Sequence, residues 1–225
     1  MLEILQEYDV LAAFRMTVYL TVCSAIGSLV LGTVLAVMRV SPVGVLRGLG
    51  AFYVNTVRNT PLTLILLFCV LGVLYVLQVP LAPTDSPTSV RDNAIRWAIV
   101  GLSVYHAAFV CEALRSGVNT VDRGQAEAAR SIGLTFAQSM REVILPQAFR
   151  GAIAPLGSVL IALTKNTTVA SIIGVAEASG LMKTIIENET ASVTVFMVFA
   201  IGFVILTLPI GLLFTSLSRR LAVKR

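Results

Sequence analysis

The sequence contains few charged residues for its length. Only 13% of its 225 residues are Asp, Glu, Lys or Arg, whereas 56% are hydrophobic. A water-soluble domain carries about 25% charged residues, so this chain lacks the polar surface that such a domain needs. The same excess of apolar side chains excludes an intrinsically disordered chain. The composition therefore predicts an all-α integral membrane protein.

Motifs for catalysis and metal binding are also missing. The three cysteines lie in separate apolar runs, with neither disulfide-framework nor zinc-site spacing. The single histidine, His106, is predicted to be a hydrogen-bonded structural residue, since alone it cannot form a metal site. The sequence has no GxxxxGK[ST] loop, no HExxH motif and no nucleophile triad. We therefore expect neither catalysis nor a cofactor in this chain.

Long apolar runs are what the chain has in abundance. A helix that crosses a bilayer needs about 20 residues. We predict five such spans in a single transmembrane domain, residues 1–225, and the longest connection, residues 118–150, lies between the third and fourth spans. The predicted spans cover residues 11–38, 51–79, 95–117, 152–175 and 192–217.

The basic residues are unequally distributed between the two sides of this arrangement. Eleven unambiguous Lys and Arg residues lie on the side of the 118–150 loop and the C-terminal tail, and four lie on the other. Cytoplasmic loops carry the excess of basic residues. The long loop and the C-terminus are therefore predicted to be cytoplasmic and the N-terminus external. The net charge of +5 is explained by topology and not by nucleic-acid binding.

The long basic loop carries signals for two short helices. Asp122 can cap the first helix, and Gly133 occupies the position of a left-handed C-terminal residue. Thr135 and Gln138 form a capping-box pattern for the second helix. Pro146 is predicted to end that helix before the fourth span. Taken alone, such a hairpin is either an amphipathic surface element or a docking element.

Two spans carry polar or ionisable residues at membrane depth, where such groups usually face a cavity or a partner. Arg58 lies inside the bilayer if its helix begins near Gly48, but it lies among lipid headgroups if the helix begins at Pro61. Lys165 and Asn166 lie deep in the fourth span, although Lys165 can also extend to the outer headgroups. A guanidinium in a pocket suits a carboxylate ligand.

Two predictions concern contacts between helices. Glu112 and Arg115 are spaced i, i+3 and are predicted to form an ion pair near the cytoplasmic end of the third span. Gly27 and Gly32 in the first span are predicted to be packing sites rather than chemical ones.

Four ordered motifs resemble those of ABC-importer permeases. Residues 127–129 are Glu-Ala-Ala, and Gly133 follows at the spacing of the EAA loop in that family, although Val143 replaces the family's isoleucine. The resemblance extends over about residues 11–217 and is closest to polar amino-acid permeases, in particular the glutamate-uptake permeases of actinobacteria. The motifs are Arg-Asn-Thr-Pro at 58–61, Gly-Gln-Ala-Glu-Ala-Ala-Arg at 124–130, Leu-Pro-Gln-Ala at 145–148 and Leu-Thr-Lys-Asn-Thr-Thr at 163–168.

The resemblance implies a type I importer permease fold with five transmembrane helices and a cytoplasmic coupling helix. Family members often have an acidic residue where Asn166 stands, so its absence implies an anionic or neutral polar substrate. For Leu145 and Pro146, setting the entry angle of the fourth span is an alternative role. The implied coupling residues are Glu127, Ala128, Ala129, Gly133, Leu145 and Pro146, and the implied substrate-binding residues are Arg58, Asn59, Thr164, Lys165, Asn166 and Thr167.

The resemblance also implies partners. These are a second permease subunit, identical or homologous, two ATP-binding subunits that hold ATP and magnesium, and an extracytoplasmic substrate-binding protein. The implied substrate is an amino acid, with glutamate ahead of glutamine, aspartate and other polar amino acids. The competing hypothesis is a membrane scaffold or receptor that recruits a cytoplasmic partner, and such a protein has no use for Arg58, Lys165 and Asn166 around a cavity.

Overall fold

The computed structural model describes residues 7–189 and 192–221, and these residues form helices joined by short connections without any strand. Two helices continue as π-helices and one continues as a 3₁₀-helix. The elements are α1 Val10–Val40, α2 Gly44–Arg58, α3 Leu62–Leu67 with its π-helical continuation Phe68–Val76, α4 Ser89–Val118, α5 Arg123–Ser131, α6 Phe136–Gln138 with its π-helical continuation Ser139–Ile144, α7 Leu145–Asn166 with its 3₁₀ continuation Thr167–Ile173, α8 Ala178–Asn188 and α9 Ser192–Leu221.

Four helical runs are long and apolar enough to cross a membrane. They are α1, α4, the run over Phe136–Ile173 and the part of α9 over Val193–Leu221. A fifth span is obtained only when α2 and the run Leu62–Val76 are counted together as one broken span.

The chain bends sharply in the segment that the sequence analysis treated as one apolar run, residues 51–79. The axes of Gly44–Arg58 and Leu62–Val76 differ in direction by 102°. Pro61 lacks a backbone N–H and disfavours helical geometry at Thr60, so α2 ends before it and α3 begins after it. Of the two predicted helix starts, near Gly48 or at Pro61, the structure agrees with the earlier one. α2 begins at Gly44, and Arg58 is its last residue.

The prediction that Pro146 ends a short helix is wrong. The helix that begins at Phe136 continues without interruption to Ile173, and Pro146 lies in the first turn of α7. A proline ring normally clashes with the preceding helical turn. Here the preceding turn is the π-helical segment Ser139–Ile144, whose backbone differs from that of a regular α-helix and accommodates the ring.

α4 lies at the centre of the fold, with α1 packed along one side and α7 along the other. The core at this place is built from small and aliphatic side chains, including Leu35 of α1 and Ala107 of α4, and α2 contributes Val54. Gly32 is a close-approach point, because a Cβ atom there would lie 2.6 Å from the Val110 side chain and 2.8 Å from the Ala107 carbonyl oxygen. The predicted packing role of Gly32 is therefore confirmed.

Gly32→Ala is expected to lower the free energy of unfolding by about 1–3 kcal/mol, because the added methyl group overpacks the contact between α1 and α4. Gly48→Ala is the matched control, since a Cβ there meets no atom within 4 Å. The control should raise stability by about 0.4–1 kcal/mol through the lower entropy of the unfolded chain. Thermal unfolding of both purified variants measures the difference, and equal stability would contradict the close packing.

Candidate functional site

A cavity of about 340 Å³ lies between α4 and α7, and we call it the α4–α7 cavity. It combines aromatic rings with a few polar groups, which is the usual character of a site for a small polar molecule. Its lining residues are Tyr105, His106, Phe109, Ser158, Val159, Ala162 and Asn166.

The polar end of this cavity is a bonded pair of side chains from the two helices. The Nδ1 atom of His106 lies 3.0 Å from the Leu102 carbonyl oxygen, so this nitrogen carries the hydrogen and donates it. The Nε2 atom then accepts a hydrogen bond from the Asn166 side-chain nitrogen, 3.2 Å away. The predicted structural hydrogen bonding of His106 is confirmed, and the residue also lines the cavity, which the sequence analysis did not predict.

Arg58 reaches the same region from α2. Its guanidinium carbon lies 5.5 Å from the centroid of the Phe109 ring, a cation–π arrangement, and Phe109 lines the cavity. The Arg58 side chain is 44% exposed. The structure therefore brings Arg58 and Asn166, two of the predicted substrate-binding residues, to the border of one cavity.

Three arginines surround one carboxylate beside this cavity, and we call this group the Glu112 cluster. Arg39 donates a hydrogen bond to Oε1 of Glu112. Arg115 lies with Nε 3.6 Å from Oε2, so the predicted pair of Glu112 and Arg115 is confirmed. Arg58 lies with Nη1 4.0 Å from Oε1. Arg39 and Arg58 come from other helices, so local spacing in the sequence does not predict their contacts with Glu112.

Asn166 is the only predicted substrate-binding residue that lines the α4–α7 cavity, and Arg58 reaches it only through its contact with Phe109. The buried hydroxyl groups of Thr164 and Thr167 donate to carbonyl oxygens of their own helical run, at 2.9 and 2.8 Å. Asn59 is exposed and donates to the Asn55 carbonyl oxygen at 2.7 Å. Lys165 is exposed on α7. Contact of these four side chains with a substrate remains a prediction.

The loop between α4 and α7 has the predicted helix–glycine–helix form. Asp122 caps α5 by accepting from the Gly124 N–H at 2.8 Å. Gly133 adopts a φ of +85°, a left-handed conformation that favours glycine. Thr135 and Gln138 form the complete capping box at the start of α6. The local signals in the sequence therefore predicted the cap, the turn and the start of the second helix, but not where that helix ends.

The face of this loop that is available for contact is smaller than predicted. Glu127 and Ala128 are exposed, and Ile132 is 78% exposed. Ala129 is only 3% exposed, because α5 packs against the π-helical segment that follows α6. Ala129 therefore belongs to the internal packing of the hairpin rather than to its exposed face.

Two predicted coupling residues lie where the hairpin joins the apolar part of α7. Leu145 is half-buried and Pro146 is exposed, and both lie in the first turn of α7. This position accords with the alternative role of setting how the helical run enters the fourth span.

Comparison with known proteins decides the family. Residues 28–224 match the family described as binding-protein-dependent transport system inner membrane component. The chain belongs to this family. It is 57% identical over 218 residues to the glutamate transport system permease proteins GluC of Corynebacterium efficiens and Corynebacterium glutamicum, with 96% of each chain covered. The resemblance to amino-acid ABC-importer permeases that the motifs indicated is confirmed.

A solved structure supports the same assignment. The crystal structure of an amino acid ABC transporter with histidines matches with a TM-score of 0.80 and 26% sequence identity, over 97% of both chains. The predicted all-α permease fold is therefore confirmed, and the protein is a multi-pass membrane protein.

Proposed function

We propose that this chain is the transmembrane subunit of an ATP-driven glutamate importer and forms half of its translocation pathway. The observation that carries the proposal is the 57% identity to the corynebacterial glutamate permeases over 96% of each chain. The position of Arg58 beside the α4–α7 cavity agrees with an anionic substrate. A scaffold that only recruits a partner has no use for a polar cavity of this kind.

The cavity offers complementary groups to the two charged ends of an amino acid. Arg58 carries planar paired donors that match a carboxylate. Asn166 uses one N–H of its side-chain amide for His106, which leaves the second N–H as a donor for the side-chain carboxylate of glutamate. Phe109 supplies an apolar wall between them. We assign the α-carboxylate of the substrate to Arg58 and its side-chain carboxylate to Asn166.

The chain requires partners to perform transport. A second permease subunit, identical or homologous, completes the pathway, and an extracytoplasmic protein delivers the substrate. Two ATP-binding subunits hydrolyse ATP with magnesium, so this chain itself is non-catalytic. We assign contact with these subunits to the hairpin of α5 and α6, through the exposed Glu127 and Ala128 and the turn at Gly133. This assignment places the hairpin and the C-terminus in the cytoplasm and the N-terminus outside.

Uptake of labelled amino acids by proteoliposomes that contain the complete complex tests this function. Glutamate should be accumulated in an ATP-dependent manner and in preference to glutamine and arginine. Preferential uptake of arginine, or no uptake of any amino acid by an assembled complex, would contradict the proposal.

Asn166→Asp is expected to reduce glutamate uptake roughly tenfold or more, because like charges in a partly buried site repel by about 2 kcal/mol. The new carboxylate also cannot donate to Nε2 of His106 as the amide does. Asn188→Asp is the matched control, since Asn188 is exposed and bonds to Tyr8. Uptake at matched expression is the measurement, and equal glutamate uptake by both variants would remove Asn166 from the site.

A further inference from the structure

The Glu112 cluster has more positive than negative charge. Arg39 comes from α1, Arg58 from α2, and Arg115 and Glu112 from α4, so one carboxylate faces three guanidinium groups. The exposed side-chain fractions of Glu112 and Arg39 are only 27% and 14%. A partly buried group of this kind attracts a further anion.

The three arginines are not equivalent. Arg39 donates a hydrogen bond to Oε1 of Glu112, takes one of the two acceptor positions of that oxygen and compensates part of its negative charge. Arg58 lies 4.0 Å from the same oxygen, which is within ion-pair range but beyond hydrogen-bond range. Glu112 therefore attracts Arg58 without satisfying its donors.

The Arg58 side chain also contacts a residue of the α4–α7 cavity. Its guanidinium lies over the ring of Phe109, and Phe109 lines the α4–α7 cavity. The side chain is 44% exposed, so its donors remain accessible to a ligand. Arg58 thus contacts both a resident carboxylate and a ring that lines the cavity in which we place the substrate.

We propose that Glu112 is a positioning residue that competes with the substrate carboxylate for Arg58 and thereby sets the affinity for the substrate. This inference rests on the proposed function. When a substrate carboxylate binds, Arg58 turns its donors toward the cavity, and when the substrate leaves, Glu112 attracts Arg58 again. Arg39 sets the strength of this competition, because its hydrogen bond to Oε1 compensates part of the charge that attracts Arg58.

The competition predicts opposite effects for two neutralising substitutions. Glu112→Gln removes the competing carboxylate and leaves three cations, so glutamate should bind about tenfold more tightly. Tight binding slows release, so the maximal uptake rate of this variant should fall. Arg39→Gln removes the charge that compensates Glu112, so Glu112 attracts Arg58 more strongly and glutamate should bind several-fold more weakly.

The experiment measures equilibrium binding of radiolabelled glutamate to the purified complex of permease and ATPase subunits in nanodiscs, without the substrate-binding protein. Arg91→Gln is the matched control, because Arg91 is exposed near the start of α4. It removes one cation outside the cluster and should bind glutamate like the parent. Proteoliposomes with saturating substrate-binding protein provide the maximal uptake rate of each variant.

Opposite shifts in Kd for Glu112→Gln and Arg39→Gln support the inference. A purely structural role would lower the amount of assembled complex of both variants without changing Kd, and that result overturns it. If Glu112→Gln does not assemble, Arg39→Gln decides, because an unchanged or lower Kd there also overturns it. Failure of the proposed function is distinguishable, since the assembled parent complex would then not bind glutamate.

Discussion

Arg58→Gln is expected to reduce glutamate uptake by roughly ten- to a hundredfold, because a hydrogen bond to a charged group contributes about 1.5–3 kcal/mol. The neutral amide retains some hydrogen-bonding capacity but loses the positive charge and the paired donors that hold a carboxylate. Uptake by proteoliposomes at matched amounts of complex is the measurement. Arg58 contributes only to an exposed part of the Glu112 cluster, so the complex should still assemble.

Arg47→Gln is the matched control for this variant, because Arg47 is an exposed residue of the same helix, eleven positions earlier. It should transport glutamate like the parent. Arg58→Lys should also be strongly impaired, since an ammonium group lacks the planar fork and its cation–π contact with Phe109 differs. Normal uptake by Arg58→Gln would place the substrate elsewhere and return Arg58 to a headgroup contact.

Gly133→Val is expected to abolish most of the substrate-stimulated ATP hydrolysis while the chain remains in the membrane. The φ of +85° at this position is strongly unfavourable for a β-branched residue, so the turn between α5 and α6 must change shape. The exposed face of the hairpin would then no longer match the ATPase. The measurement is ATP hydrolysis in proteoliposomes with and without glutamate and its substrate-binding protein.

Gly174→Val provides a control with the same backbone strain at a different place. Gly174 adopts a φ of +84°, and a Cβ there meets no atom within 4 Å, as at Gly133. It lies between the 3₁₀ segment and α8, away from the hairpin. The assembled complex of this variant should retain substrate-stimulated ATP hydrolysis. Equal loss in both variants, or full stimulation in Gly133→Val, would argue against coupling through the hairpin.

The sequence predicted the hairpin well because its signals are local. The cap at Asp122, the glycine turn and the capping box each depend on residues within three or four positions of one another. The Glu112 cluster was only partly predictable. The pair with Arg115 is local, whereas the contact with Arg58 joins α2 to α4 and depends on where Pro61 ends α2. No periodicity in the sequence reveals such a contact.

The substrate contacts of Thr164 and Thr167 stay predictions, and the prediction for Pro146 is wrong. Both outcomes depend on local geometry that the sequence does not specify. Whether a helical threonine offers its hydroxyl to a ligand or to its own backbone depends on its rotamer, and Thr164 and Thr167 use theirs within the helical run. Whether Pro146 ends a helix depends on the turn before it, and a π-helical turn lets the helix continue.

The uninterrupted helical run over Phe136–Ile173 connects the hairpin directly to the α4–α7 cavity. One end starts at the Thr135 cap of the hairpin, and Asn166 at the α4–α7 cavity lies about 45 Å further along, at about 1.5 Å per residue. A tilt of about 5° about either end would move the opposite end by about 4 Å. A displacement of the hairpin by an ATPase would therefore reach the cavity along one continuous helical run, without any intervening loop to absorb it.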